Sequence, residues 1–243
     1  MSITSLKFPF FVAGIAFIYY VIPKKLQWIW LLLISTAFYV NLSRHLSVYL
    51  CITIISVYFL GLLMEKWEGE YKEKLARLKA GEITGDKKEL KAANKKRKNK
   101  LIWACVIINL GMLVFLKFYN LIVGDLNSRF GGADGQVLPL LNLVLPLGIS
   151  FYTFQAIGYL VDVYRGKQKA EHNFFRFALF MAFFPQMIQG PISRYHQLAP
   201  QFVKEHTFSY EQVCHGYQLM LWGMFKKMVI ADRAALMADL VFQ

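Results

Sequence analysis

Apolar stretches alternate along this chain with short charged breaks. Residues 8–22, 26–43 and 46–64 are charge-free runs of fifteen, eighteen and nineteen residues. Each is close to the roughly 20 residues an α-helix needs to cross about 30 Å of hydrocarbon, so three spans are expected before residue 65. A fourth apolar run covers 101–124, interrupted by Lys117, and a fifth lies within 145–164, where no charged side chain occurs between 135 and 161. The run at 177–193 is also charge-free, but Pro185 removes a backbone donor midway and Gly190-Pro191 stops any helix there. A broken or re-entrant segment is expected near residues 177–193, tolerated in hydrocarbon only where protein or a water-filled cavity covers it. The last helical pattern, 210–240, mixes Glu211, Lys226, Lys227, Asp232, Arg233 and Asp239 into apolar sequence and cannot face lipid all round. The pattern predicts an all-α fold, a polytopic membrane helical bundle, with 1–243 as a single membrane domain.

Composition supports the bilayer as solvent. Hydrophobic residues make up 56% of the chain and mean hydropathy is +0.39, whereas soluble domains average about 45–50% apolar. The net charge of +13 would suggest nucleic acid in a soluble protein, but its location gives it another meaning. Residues 65–100 hold thirteen basic against seven acidic residues. Their signs alternate, and Glu70 with Lys74 and Glu73 with Arg77 have the i, i+4 spacing of a solvated helix, which Gly81 would end. The cluster "NKKRKNK" closes the block, and residues 95–100 are placed to attract anionic lipid headgroups by about 1 kcal/mol per basic residue. The positive-inside rule puts this basic 65–100 loop in the cytoplasm, with Lys24, Lys25 and the "RGKQKAEHN" stretch on the same side. The N-terminus then lies outside a multi-pass protein of the cell (plasma) membrane, and no nucleic-acid partner is expected.

Candidate chemistry is sparse. Cys51, Cys105 and Cys214 form no CxxC or Cys/His spacing, so neither a disulfide framework nor a metal site is expected. His45, His172, His196 and His206 fall in polar stretches that suit surface histidines. His215, beside Cys214 near the start of an apolar helix, is a weak candidate base, because neighbouring helical residues point about 100° apart and make a poor dyad. Lys226 and Lys227 are costly in lipid and mark either a polar interior or snorkelling to the surface. Asp162 and Arg165 have the spacing of a local pair at a helix end. Gln155, Gln186 and Gln189 are amides that need interhelical partners. Arg194 follows a Gly-Pro break and suits either a phosphate or carboxylate ligand or the capping of a membrane boundary. No P-loop, GxSxG, HExxH or GxGxxG pattern is present.

The segments "LPLGISFYTFQAIGYLVDVYRG", "FFPQMIQGPISRYHQLAPQF" and "GMFKKMVIADR" resemble the membrane-bound O-acyltransferases, specifically the alginate O-acetylation branch. The D-alanyl branch shares the Gly-Ile-Ser and Gly-Pro-Ile pieces more loosely. The resemblance implies packed helices around a tunnel, with Gly148, Gln155, Gln189, Pro191, Arg194, Lys226 and Lys227 as wall candidates. It implies transfer of an acyl group, acetyl by preference, towards hydroxyls of an extracellular polysaccharide or cell-wall polymer. The donor would be a cytoplasmic thioester, acetyl-coenzyme A or an acyl carrier protein, with no bound cofactor and with an extracytoplasmic acyltransferase as a partner. The family's basic histidine lies downstream of its "FKKxxIAD" segment, and no histidine follows His215 here. The expectation is the N-terminal part of a longer enzyme, inactive alone, with no catalytic residue of its own. Two rivals are a transporter or flippase, suggested by the broken segment and the intramembrane lysines, and a non-catalytic membrane scaffold. The first predicts duplicated halves, and no such repeat occurs.

Overall fold

The computed structural model describes residues 7–82, 86–130, 139–141 and 146–242, without the side chains of 7, 130, 188, 189 and 240–242. The described residues contain no strand, as the all-α expectation requires. In chain order the helices are α1 (Lys7–Val21), α2 (Gln27–Ser43), α3 (Ser47–Lys79), α4 (Lys87–Phe130), α5 (Ile149–Tyr164), α6 (Phe174–Ala182), α7 (Phe184–Gln189), α8 (Tyr195–Val203), α9 (Tyr210–Phe225) and α10 (Asp232–Phe242). A π-helical turn, Lys226–Ala231, joins the last two. Two stretches, Lys24–Lys79 and Lys87–Arg129, are long and apolar enough to cross a membrane. Their outward faces carry large bare side chains such as Phe59, Trp103, Ile107 and Leu121. That bare apolar surface gives the chain a membrane location.

The chain forms two compact units, Leu31–Phe202 and the pair of segments Met1–Trp30 with Val203–Gln243. In the larger unit α3, α4 and α5 pack on one another. Val57, Ile54 and Met64 of α3, Cys105 and Leu116 of α4, and Tyr152, Ala156 and Leu160 of α5 are buried there. Gly61 permits the close packing of α3 on α5, since a Cβ at that position would lie 3.3 Å from the Tyr159 ring. Asn109 is wholly buried, and its amide nitrogen donates to the Cys105 carbonyl at 3.0 Å within α4.

The 65–100 segment is a helical hairpin and not an irregular loop. α3 continues to Lys79, Gly81 turns the chain with φ +77°, and α4 begins at Lys87 with the Asp86 side chain accepting from the Lys88 amide at 2.9 Å. Glu73 meets Arg77 as its spacing predicts. Glu70 instead faces Arg97 across the hairpin at 3.5 Å, because that guanidinium is held over the Trp67 ring, 4.5 Å from its centroid. The broken segment is present too, with α6 ending before Phe183 and α7 starting at Phe184. The break falls ahead of Pro185 because a helix's first turn has amides without intrahelical partners, so a proline there costs nothing. Asn173 caps the front of α6, accepting from the amides of Phe175 and Arg176 at 3.0 and 3.2 Å.

In the smaller unit, Gln27 joins the two chain segments. Its amide donates to the carbonyls of Tyr19 and His206 at 3.2 and 3.3 Å, and its oxygen accepts from the His206 amide at 3.4 Å. Tyr217 donates to the Pro9 carbonyl at 3.3 Å, and Ser209 caps α9 by accepting from the Gln212 amide.

Candidate functional site

The polar face of α5 builds the site. Gln155, Tyr159 and Asp162 follow an i, i+4, i+7 spacing, which puts them on one side of the helix. All three are buried. Gln155 donates to the Phe180 carbonyl at 3.0 Å, in the last turn of α6 where carbonyls lack helical partners, and to the Gln186 side-chain oxygen at 3.2 Å. One amide therefore links α5 to both halves of the broken segment. One helical turn further on, the Tyr159 hydroxyl accepts from the Glu171 amide at 2.9 Å, and Tyr195 donates to the Glu171 carboxylate. The rings of Tyr159 and Tyr195 meet edge to face at 5.1 Å. Burial first, and then the Glu171 carboxylate, push the Tyr195 phenol well above its ordinary range, so it stays a donor.

Asp162 ends this face, its side chain only 8% exposed. Arg194 Nη1 lies 4.0 Å from one carboxylate oxygen and His196 Nδ1 lies 4.0 Å from the other. Arg165, three residues from Asp162, is exposed and lines the same recess, so the near side-chain partners, Arg194 and His196, come from the 191–196 segment and not from the local pair. The reason is directional, since the Asp162 face of α5 is the one the returning chain covers. A recess of about 310 Å³ opens here, lined by Gln155, Gly158, Asp162, Arg165, Ser193 and Arg194 among others. A buried carboxylate at its base with two guanidiniums on its wall can hold and orient a polar or anionic group. It does not make a base: at 4.0 Å Asp162 biases His196 electrostatically without the hydrogen bond that would fix an imidazole.

The other candidate residues lie as follows. Gln155 and Arg194 share the recess, and Pro191 is exposed in the segment that leads to it. Gly148 is at the opposite end of α5, where it caps the helix with φ +70°. A Cβ there would stand 2.8 Å from the Met187 carbonyl oxygen, so glycine is required twice over. The side chain of Gln189 lies outside the described residues. Lys226 and Lys227 belong to the smaller unit, Lys226 Nζ 5.3 Å above the Trp222 ring and Lys227 bonded to Asp232 at 3.2 Å. His215 is exposed on α9 in that same unit. Sequence reasoning missed the meeting of Asp162 with Arg194 and His196, and the Tyr159, Glu171 and Tyr195 network. Both join residues too far apart in the chain for any periodicity to reveal.

The fold and the recess define a helical membrane protein with a charged polar recess open to its surroundings. The comparisons narrow the class. The chain is 39% identical over 137 residues to a probable alginate O-acetylase of Pseudomonas aeruginosa, a match over 56% of this chain and 26% of that protein. It is 31% identical over 171 residues to a peptidoglycan O-acetyltransferase of Helicobacter pylori, over 59% of the chain and 32% of the relative. A teichoic acid D-alanyltransferase of Lacticaseibacillus rhamnosus is 38% identical over 60 residues, 25% of the chain and 14% of the relative. No family model and no solved structure matches. The chain is thus similar to a part of each of these acyl-transferring relatives, which agrees with the resemblance its motifs carry. The matches cover about a quarter to a third of the length of the two O-acetyl-transferring relatives.

Proposed function

We propose that this chain serves an O-acyltransferase that moves an acyl group, acetyl by preference, across the membrane towards hydroxyls of an extracellular polysaccharide or cell-wall polymer. The names of its relatives support this reading, since all three concern acyl transfer to such polymers. The carrying observation is the Asp162 recess: a buried carboxylate and a buried amide, Gln155, with two exposed guanidiniums at its mouth. Its role is to position. Arg165 and Arg194 suit the phosphate that thioester donors such as acetyl-coenzyme A or a carrier protein bear, while Gln155, held by Gln186, shapes the wall. The base that activates the acceptor hydroxyl is assigned by resemblance to the family's histidine, which has no counterpart at any position of this chain. Such a base contributes about 10² to 10⁴ in rate.

The hairpin of α3 and α4 is placed on the cytoplasmic side and the N-terminus outside, on the strength of the basic residues beside the apolar runs. The test is made in the full-length protein, in a strain lacking its own copy, by measuring ester content of the secreted polymer. Arg194→Ala and Asp162→Asn are each expected to lower it at least about tenfold, the loss of one oriented charge contact, at unchanged membrane abundance. Ester content unaffected by both substitutions would remove the recess from the mechanism. For orientation, a Lys91→Cys variant should react with a membrane-impermeant maleimide only after the cells are opened.

A further inference from the structure

Helix α2 stands off from α3 and α6, which pack on each other, and a groove of about 310 Å³ runs between the three. Residues 32–40 of α2, 47–55 of α3 and 174–182 of α6 bound it, so at 1.5 Å per residue it is about 12 Å long. Its lining is apolar apart from Cys51, the hydroxyls of Thr36 and Ser47, and the Tyr39 phenol, which donates to the Leu147 carbonyl. Leu33, Val40, Ile55 and Phe175 are exposed along it, so it opens sideways onto the bare apolar surface. One end lies at the membrane boundary, where Ser47 follows the Arg44 break between two charge-free runs, and the other near mid-bilayer, since Ile55 is the centre of the 46–64 run. The groove therefore spans most of the hydrocarbon depth of one leaflet, about 15 Å.

Neither water nor a helix suits this space. Water would find too few hydrogen-bond partners on such walls. Spread over its length, the volume corresponds to a cross-section of about 26 Å², whereas an α-helix about 10 Å across needs about 80 Å². One hydrocarbon chain is of the smaller width, and chains are what the bilayer supplies at this depth. An empty groove would forfeit the dispersion contacts of its walls. The boundary end carries a charge to match. Arg44 sits in the connection between α2 and α3, its carbonyl accepting from the Ser47 hydroxyl at 2.6 Å. It is exposed, no acidic residue precedes Glu65 in the chain, and among the described residues it is in no ion pair. It is also the one non-glycine residue among them with a positive φ, +40°, a strained conformation of the kind that persists at ligand clamps. An arginine at the edge of the hydrocarbon stands at the depth of lipid phosphates.

We propose that the groove between α2, α3 and α6 binds one phospholipid, with an acyl chain along the groove and the phosphate on Arg44. The proposal needs the membrane location but not the acyl-transfer reading. The full-length protein in nanodiscs receives a small share of a phospholipid bearing a diazirine midway along one chain, and after irradiation the labelled residues are found by mass spectrometry. Labelling of residues 47–55 and 174–182 should exceed that of the bare face around Trp103 and Ile107 of α4 by at least about fivefold, because that face meets only exchanging bulk lipid. Ala178→Trp, which fills the groove, should lower groove labelling at least about fivefold and leave the α4 face unchanged. Cys51→Phe repeats the test if that variant does not fold. Arg44→Gly should lower labelling by the phospholipid about fivefold, the worth of one basic residue at a lipid phosphate, but labelling by the matching diacylglycerol, which has no phosphate, less than about twofold. Because glycine suits the positive φ, this variant should melt no lower than the parent, which separates lost binding from lost folding. Even labelling of both faces, a groove left unlabelled because a protein segment covers it, or groove labelling by the phospholipid undiminished in either kind of variant would each overturn the proposal.

Discussion

Gly148 shows how much a single position can constrain. Its left-handed φ costs any other residue about 1 kcal/mol or more, and a methyl group would strike the Met187 carbonyl, which as backbone cannot swing aside. Gly148→Ala is therefore expected to destabilise the protein by about 2 kcal/mol, combining backbone strain and overpacking, read as a lowered thermal midpoint in detergent. Gln155→Leu should cost less, about 1 kcal/mol, because it strands only the Phe180 carbonyl and the Gln186 amide oxygen. The sequence marks both residues as polar or small interruptions of apolar helix, and that much is legible. The sign of a φ angle and the identity of a partner twenty-five residues away are not, since both depend on how the chain returns. Asp162 makes the same point: its neighbour Arg165 is visible in the sequence, whereas Arg194 and His196 reach it only through the turn at Gly190.

At the scale of elements, the hairpin is closed by one buried cation. Lys98 donates to Glu68 at 2.9 Å and to the Tyr164 carbonyl at 3.0 Å, the end of α5, and so ties three helices together. Burial of Glu68 would raise its carboxyl, but the hydrogen bond and charge of Lys98, helped by Asn94, outweigh it and hold the group below its ordinary range. A depressed carboxyl contributes stability above its unfolded value, near pH 4.5, and that contribution is lost as pH falls through the lower folded value. The midpoint difference between the parent and Glu68→Gln should therefore be largest at neutral pH and shrink below about pH 4. Lys98→Met should cost about 1–2 kcal/mol at neutral pH, limited because Glu68 keeps some access to water. Apolar runs foretell α2 and the apolar parts of α3 and α4 because bilayer thickness dictates the length of such a run, whereas α3 and α4 continue beyond it into charged sequence. The charged block is legible as a solvated helix ended by Gly81, as α3 shows, but its pairing with α4 is not, because Trp67 and Arg97 meet only across the hairpin.

For the whole molecule, the bare apolar surface is the feature that decides its surroundings. Ile107 is 67% exposed on α4, and Ile107→Arg should disfavour membrane insertion by about 2.5–3.5 kcal/mol at mid-helix, measured as the inserted fraction in a translocation assay. Lys91→Glu in the same helix should leave insertion unchanged, being outside the hydrocarbon. α5 is held differently from its neighbours. Tyr39 donates to the Leu147 carbonyl at 3.1 Å and Met187 closes on Gly148 at one end, while Lys98 takes up the Tyr164 carbonyl at the other. A helix fixed at both termini cannot fray, so its amide hydrogens can reach solvent only when the larger unit opens as a whole. In deuterium exchange they should be the slowest set, long outlasting the exposed π-helical amides of residues 226–231, and α5 would then serve as the clock against which every local opening of this protein is timed.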